Sequence, residues 1–331
     1  MRVAEVGFPL THLGVRWRGN GAWVRVRTAG GWTASRILHG CGGGPDGSAE
    51  PGGSALLVVP GAVGYEVAVA DDGAVQVTKL NTVDGPTMTA AGAVANGMPL
   101  PDGTSCDFPY LSRAAWGADE SLRFRGGTEY WPPEFYPVQT LTVHHTAGAN
   151  DDPDPAATVR AIYYYQAVTQ DWGDIGYHLL VDEAGRVYEG RWSGPDGVPV
   201  FDGTANGRPL GVTAAHVGGF NTGNLSVCLL GDFTSRLPTT AAWTSTVRVL
   251  AGLARVCGLD PLGTTDYVNP VNSATKTVRT ISGHRDWAAT QCPGNTFYPH
   301  LPTVREQVAS LLAVVPRKPP GSTPRPPVPR R

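Results

Sequence analysis

The sequence predicts an α/β domain, a mixed central sheet flanked by helices, preceded by an all-β, sandwich-like domain. Up to Gly85, apolar residues alternate with polar ones and no helical stripe is present. From Tyr110 onward, strand-like and helix-like runs follow one another, and small or polar residues with Gly and Pro separate the two regimes. The boundaries follow as 1–85 for the β domain, 86–109 for a linker, 110–315 for the α/β domain and 316–331 for a Pro/Arg-rich disordered or polyproline tail. A chain of 331 residues with 41% hydrophobic content can build two such cores.

In the first domain, Val15, Trp17 and Ala22–Arg27 alternate at a period of about two, and Gly30–Gly31 supplies a turn. Short runs follow at Ala55–Val59, Tyr65–Val69 and Val75–Leu80, with a Gly-rich loop expected at Cys41–Gly53. The second domain begins with a strand at Val138–His145, a helix at Pro155–Thr169 and a hairpin at Tyr177–Gly190. A strand at Leu225–Gly231, a helix at Thr239–Cys257, a strand at Val278–Ile281 and a helix at Pro302–Val314 complete it. In the Thr239–Cys257 helix, Trp243, Val247, Leu250, Ala254 and Cys257 form one apolar stripe, so Cys257 faces the core. Cys228 lies in the preceding buried strand, where it either pairs with Cys257 or simply packs.

A net charge of -2 argues against nucleic acid, whose phosphates demand a basic face. No run of about twenty apolar residues exists to span a membrane. Met1–Gly19 shows no secretory signal, because no apolar stretch follows Arg2. The five cysteines fit either two disulfides with one thiol left over or five buried thiols.

The chemistry lies in three segments: Thr142–Val143–His144–His145, Asp174–Ile175–Gly176–Tyr177–His178, and Gly283–His284–Arg285–Asp286 followed by Thr290–Gln291–Cys292–Pro293–Gly294. Imidazole and thiolate are preferred zinc ligands, and three of them plus a water make a catalytic site. Successive side chains of a strand point to opposite faces, so only one of His144 and His145 is expected on the metal.

Taken together, these segments resemble the peptidoglycan recognition proteins and the phage-type amidase lysozymes, the type 2 N-acetylmuramoyl-L-alanine amidase fold. The resemblance continues in Ser112–Arg113–Ala114–Ala115–Trp116–Gly117, Val187–Tyr188–Glu189–Gly190–Arg191 and Ala215–His216–Val217–Gly218–Gly219–Phe220–Asn221, and covers about residues 110 to 312. The first domain resembles, more loosely, the β-rich extension of large actinobacterial members. By position, the resemblance implies Zn2+ held by His144, His284 and Cys292, with Tyr177 and Thr290 as catalytic hydroxyls. It implies a substrate groove containing Trp172, His216, Asn221 and Arg191.

The implied activity is hydrolysis of the amide between N-acetylmuramic acid and L-alanine in peptidoglycan; the alternative is a module that binds peptidoglycan without cutting it. Members that bind without cutting have usually lost the cysteine, so Cys292 favours the enzyme. A cysteine peptidase using Cys292 and His284 is disfavoured, because no helix N-terminus stands ready to activate the thiol. Asp286 is expected either to orient His284 or to pair with Arg285. Asp171 stands where a Gly precedes the Trp in binders of diaminopimelate-type peptides, which leaves the peptide preference open. A monomer acting outside the cell or in the wall is expected, and the signal-free start stands against that location.

Overall fold

The computed structural model describes residues 2–19, 21–38, 44–46, 53–70, 73–82 and 94–314. Cys41, most of the expected Cys41–Gly53 loop, the start of the expected linker and the 316–331 tail lie outside the described residues.

The first domain contains β1 (Arg2–Trp17), β2 (Ala22–Thr28), β3 (Gly31–Trp32), β4 (Arg36–Leu38), β5 (Gly53–Val69) and β6 (Val75–Leu80). They form one antiparallel sheet in the order β3-β2-β5-β1-β6, with β4 also paired to β2. The runs expected as two strands at Ala55–Val59 and Tyr65–Val69 are one long strand. Its pairing with β1 shifts register between Glu5 and His12, where Gly7 and Pro9 interrupt the ladder. The sheet bends there, and Leu13 and Val15 from one half share a core with Val24, Val26 and Val67 from the other. The sandwich-like core is thus one sheet folded over itself.

Residues 94–109 are not a linker. They carry β7 (Met98–Pro99) and β8 (Ser105–Cys106), and Met98, Leu100, Cys106 and Phe108 are buried in the second domain's main core. The Gly and Pro there shape a short hairpin, and the apolar residues between them decide its location.

The second domain continues with β9 (Tyr110–Leu111), α1 (Arg113–Trp116), β10 (Phe124–Arg125), β11 (Thr128–Glu129), β12 (Phe135–Pro137) and β13 (Thr140–His145). Helix α2 (Pro155–Tyr164) runs on into a π-helical turn, Tyr165–Thr169. Next come β14 (Leu179–Val181), β15 (Val187–Glu189), β16 (Phe201–Ala205), β17 (Arg208–Val212) and β18 (Asn224–Leu229). The described residues close with α3 (Thr240–Cys257), the hairpin β19 (Thr264–Val268) and β20 (Thr275–Arg279), β21 (Ile281–Gly283) and α4 (Leu301–Val314). The single strand expected at Val278–Ile281 is therefore split, β20 closing the hairpin and β21 joining the main sheet.

The main sheet has the order β21-β13-β18-β14-β15-β9. β13, β18, β14 and β21 run parallel, and β15 returns antiparallel to β14. This is the mixed α/β sheet the sequence predicts. Leu141, Val143, Leu179, Val181, Leu225, Val227 and Leu229 face one side, where α3 and α4 cover them. Leu180 and Cys228 face the other, toward α1 and α2. Cys228 and Cys257 thus belong to cores on opposite faces of the sheet, which explains why they do not pair with each other.

Candidate metal centre and substrate cavity

The strand period sets the first candidate ligand. His144 falls on the α2 side of β13 with Thr142, whereas the His145 ring lies on the other face beside Phe233, whose backbone N–H donates to His145 Nδ1 at 3.2 Å. Around His144 the sheet face is polar: Thr142 donates to Asn224, and Trp287 Nε1–H donates to Ser282. His178, one residue past Tyr177, accepts the Ser226 N–H at Nδ1 and donates through Nε2 to the Val212 carbonyl. It is locked as a neutral core histidine, its pKa pushed down to about 4 by burial.

His284 arrives from the end of β21, at the first position of a short 3-10 turn, His284–Asp286. Cys292 arrives on the following loop, tied to that turn by the Arg285 N–H donating to the Cys292 carbonyl at 3.0 Å. The Arg285 guanidinium also donates to Gln291 O and Asn295 Oδ1, holding the loop in place. The donor atoms of His144, His284 and Cys292 all lie within 4.8 Å of one another, and all three residues are buried.

Two features test whether a metal fits this set. Both ring nitrogens of His284 are buried without a hydrogen-bond partner, a costly state that a bound cation would relieve. The His144 tautomer is also fixed from outside. The Asn224 carbonyl can only accept, so His216 must donate to it through Nε2, at 2.9 Å. That leaves His216 Nδ1 to accept from His144 Nε2, at 3.0 Å. The lone pair of His144 Nδ1 is then aimed toward Cys292 Sγ, 3.6 Å away. Orienting partners of this kind commonly support ligating histidines. His144 and His216 are both held well below the ordinary histidine pKa, by burial first and by neighbouring histidines next, so both stay neutral. The backbone N–H of His145 points at Cys292 Sγ, at 3.3 Å, and favours its thiolate. The chemistry of the donor set, two imidazoles and one thiol converging in a buried site, fits a bound zinc ion.

The other expected site residues fall at different distances. The Tyr177 ring is 5.5 Å from that of His144. Thr290 is half-buried, and its Oγ1 accepts the Cys292 N–H at 3.2 Å. Trp172, Tyr177 and His216 line one cavity of about 50 Å³. Asn221 and Arg191 do not line it. Asn221 Oδ1 accepts the N–H groups of His216 and Val217, so it shapes the loop that carries His216.

Arg191 is wholly buried, donating to Asp174, Trp131 O, Pro132 O and Thr213 O with its guanidinium over the Trp131 ring. Its donors are spent inside the fold, so it clamps the Asp174–Tyr177 segment and presents nothing to a groove. Asp286 follows neither of its two expectations. Its carboxylate accepts the Gly283 N–H and the Tyr298 hydroxyl, capping the turn that presents His284.

Sequence reasoning missed His216 as the partner of His144, and it missed the first domain's share of the cavity, which includes His12, Leu56 and Val58. The period of β5 could have signalled the latter: Ala55–Leu56–Leu57–Val58–Val59 is apolar without alternation, as in a strand covered on both faces.

A family model described as N-acetylmuramoyl-L-alanine amidase matches residues 134–295. The human protein named N-acetylmuramoyl-L-alanine amidase is 31% identical over 199 residues, covering 58% of this chain and 27% of that protein. The chain thus spans about a quarter of that relative's length. Bovine peptidoglycan recognition protein 1 is 28% identical over 196 residues, covering 57% of this chain and 80% of the relative. Among solved structures, human PGRP-IBETAC in complex with glycosamyl muramyl pentapeptide matches with a TM-score of 0.41 at 25% identity, over 59% of this chain and 94% of that one. Residues 134–295, which hold all three clustered donors, match the N-acetylmuramoyl-L-alanine amidase family model, and the proteins the chain is similar to include both amidases and peptidoglycan recognition proteins.

Proposed function

We propose that the chain is a zinc-dependent amidase that hydrolyses the bond between the lactyl group of N-acetylmuramic acid and L-alanine of the stem peptide, outside the membrane on the cell wall. The observation that carries this reading is the convergence of His144, His284 and Cys292, with both nitrogens of His284 left without a protein partner. A zinc ion held by these three side chains supplies Lewis-acid polarisation of the scissile carbonyl and activation of water near neutral pH.

The chain's own groups do the rest. His216 fixes the His144 tautomer, and the His145 N–H stabilises the Cys292 thiolate. One thiolate with two neutral imidazoles leaves a net positive centre with the ion bound. Tyr177, which lines the cavity with its ring 5.5 Å from that of His144, is the residue assigned to give a hydrogen bond to the oxyanion that develops on the carbonyl. Thr290 is the second such donor: its oxygen accepts the Cys292 N–H, which leaves its own proton to give. No carboxylate lines the cavity among the described residues, so Tyr177 is also the group assigned to relay the proton of the attacking water. No helix of the described residues is long and apolar enough to cross a membrane.

The test is release of new L-alanine amino termini from purified peptidoglycan, with and without a chelator. Chelator should abolish release and zinc restore it. Cys292→Ala should fall to background, and Tyr177→Phe should lose about a hundredfold to a thousandfold in kcat, as when one oxyanion donor is removed. Retention of wall binding with no termini released, even with added zinc, would make the chain a recognition protein instead.

A further inference from the structure

The cavity beside Tyr177 is built by both domains. Along β5, Leu57 and Val59 point into the first domain's own core, whereas Ser54, Leu56 and Val58 point the opposite way and line the cavity. The same alternation on β1 buries Leu13 and Val15 inward and turns His12 and Gly14 toward the second domain. His12 Nε2 lies 2.9 Å from Thr158 Oγ1 on α2. A Cβ at Gly14 would stand 2.5 Å from the Tyr165 ring, so only glycine permits this close approach. Leu56 and Leu80 then pack with Ala161 and Tyr165.

A second anchor sits on the loop that carries His216. The Asp46 carboxylate accepts from the Asn221 N–H and Nδ2, from Thr222 Oγ1 and from Asn269 Nδ2, at 2.6 to 3.1 Å. One set of contacts grips α2 and the other grips the His216 loop, and the cavity lies between those two elements. Its lining joins Leu56 and Val58 of one domain to Tyr177, Trp172 and His216 of the other.

We propose that β5 of the first domain is a wall of the substrate cleft, and that Leu56 and Val58 are specificity-determining residues for the segment of the muramyl peptide adjoining the scissile amide. This rests on the amidase reading above and adds the groups that select its substrate. The chemistry on the two sides matches. The lactyl and L-alanyl units flanking the bond each carry a single methyl group, and the wall presents branched apolar side chains. Its one histidine, His12, is hydrogen-bonded within the interface and buried. Contact of this kind selects by size, and one methylene in an apolar pocket is worth about 10–200-fold in discrimination.

The test is binding of a soluble muramyl tripeptide to the full chain, followed by calorimetry. Val58→Phe, which narrows the cavity, should raise Kd at least about tenfold, and Leu56→Ala, which opens it, should raise Kd a few-fold and relax the preference for L-alanine over glycine at the first peptide position. Ile37→Ala, on the exposed β4, serves as the control and should bind as the unaltered chain does. Because both cleft positions also touch the domain interface, the same ligand is added to the unaltered chain with methyl-labelled Leu and Val. Nuclear Overhauser contacts from Leu56 and Val58 methyls to the ligand's lactyl and alanyl methyls are expected. Bound ligand without those contacts, or folded variants that bind as the unaltered chain does, would overturn the wall while leaving the amidase reading intact. An unaltered chain that binds no muramyl peptide would overturn both.

Discussion

Two buried polar clusters lie on the α2 side of the same sheet and have opposite designs. In one, Asp174 is wholly buried between Arg113 and Arg191, at 3.1 and 2.8 Å, and also accepts the N–H groups of Ile175 and Trp192. Burial alone would raise its carboxyl, but the Arg113 and Arg191 guanidiniums outweigh that and hold it below the usual carboxylate range. In the other, three donors converge and His284 has no protein partner at either nitrogen. The first cluster is fully satisfied and holds the fold, and the second, which keeps two unpartnered nitrogens on His284, is the one proposed to bind the metal. Burial and polarity are the same in both, so hydrogen-bond accounting is what separates structure from site.

The sharpest way to break this comparison is to cut each cluster in metal-free protein and measure unfolding in urea. Asp174→Ala leaves two buried guanidiniums without their shared carboxylate and should cost about 3–5 kcal/mol. His284→Ala removes a group already unsatisfied and should cost less than about 1 kcal/mol, below the penalty for newly stranding a buried polar group. If the two variants lose equal stability without metal, the distinction between the clusters fails. Zinc should then stabilise the unaltered chain and leave His284→Ala unmoved.

A smaller effect is expected one step out from the metal. His216→Ala removes the acceptor that fixes the His144 tautomer. It should weaken zinc binding about 10–100-fold, measured by competition with a chromophoric chelator, as loss of an orienting partner typically does. Unchanged affinity would mean that His144 is oriented by β13 alone.

These clusters were unequally legible in the sequence. Separation of His144 from His145 followed from strand period, and the facing of Cys257 from helix period, because both are local geometry. Convergence of His284 and Cys292 on His144 was reached through family resemblance; no period spans the 139 residues between His144 and His284. Arg191 was misplaced because an arginine in a motif looks the same whether its partner is a substrate or a buried Asp174. The segment 94–109 looked like linker because small and polar residues, with Gly and Pro among them, make up most of it, yet burial of Met98, Leu100 and Phe108 decides where it lies. The cavity's second wall went unseen because the contact of β5 with α2 is a tertiary fact, and the apolar run on β5 only hinted at it.

The smallest effects come from two satisfied histidines, one in each domain. Burial pushes His12 down to about 4 against the partial opposition of Asp152 and Asp154, and it pushes His178 to about 4 against the Val212 carbonyl. Unfolded, both should titrate near 6.5. Between pH 6.5 and 4 the unfolded chain therefore takes up protons that the folded chain refuses. The stability they contribute is complete above pH 6.5 and is lost as pH falls toward 4, by up to about 3 kcal/mol for each histidine. Asp174, with a lowered carboxyl, acts in a separate window below the normal carboxylate range, near pH 4. A melting-temperature series from pH 7.5 to 4 should show the histidine phase first. His12→Gln should shrink that phase while leaving the share of His178 in place. If the slope between pH 6.5 and 4 is the same with and without His12, then His12 is protonated in the folded chain, and the domain interface at Thr158 is looser than its 2.9 Å contact implies.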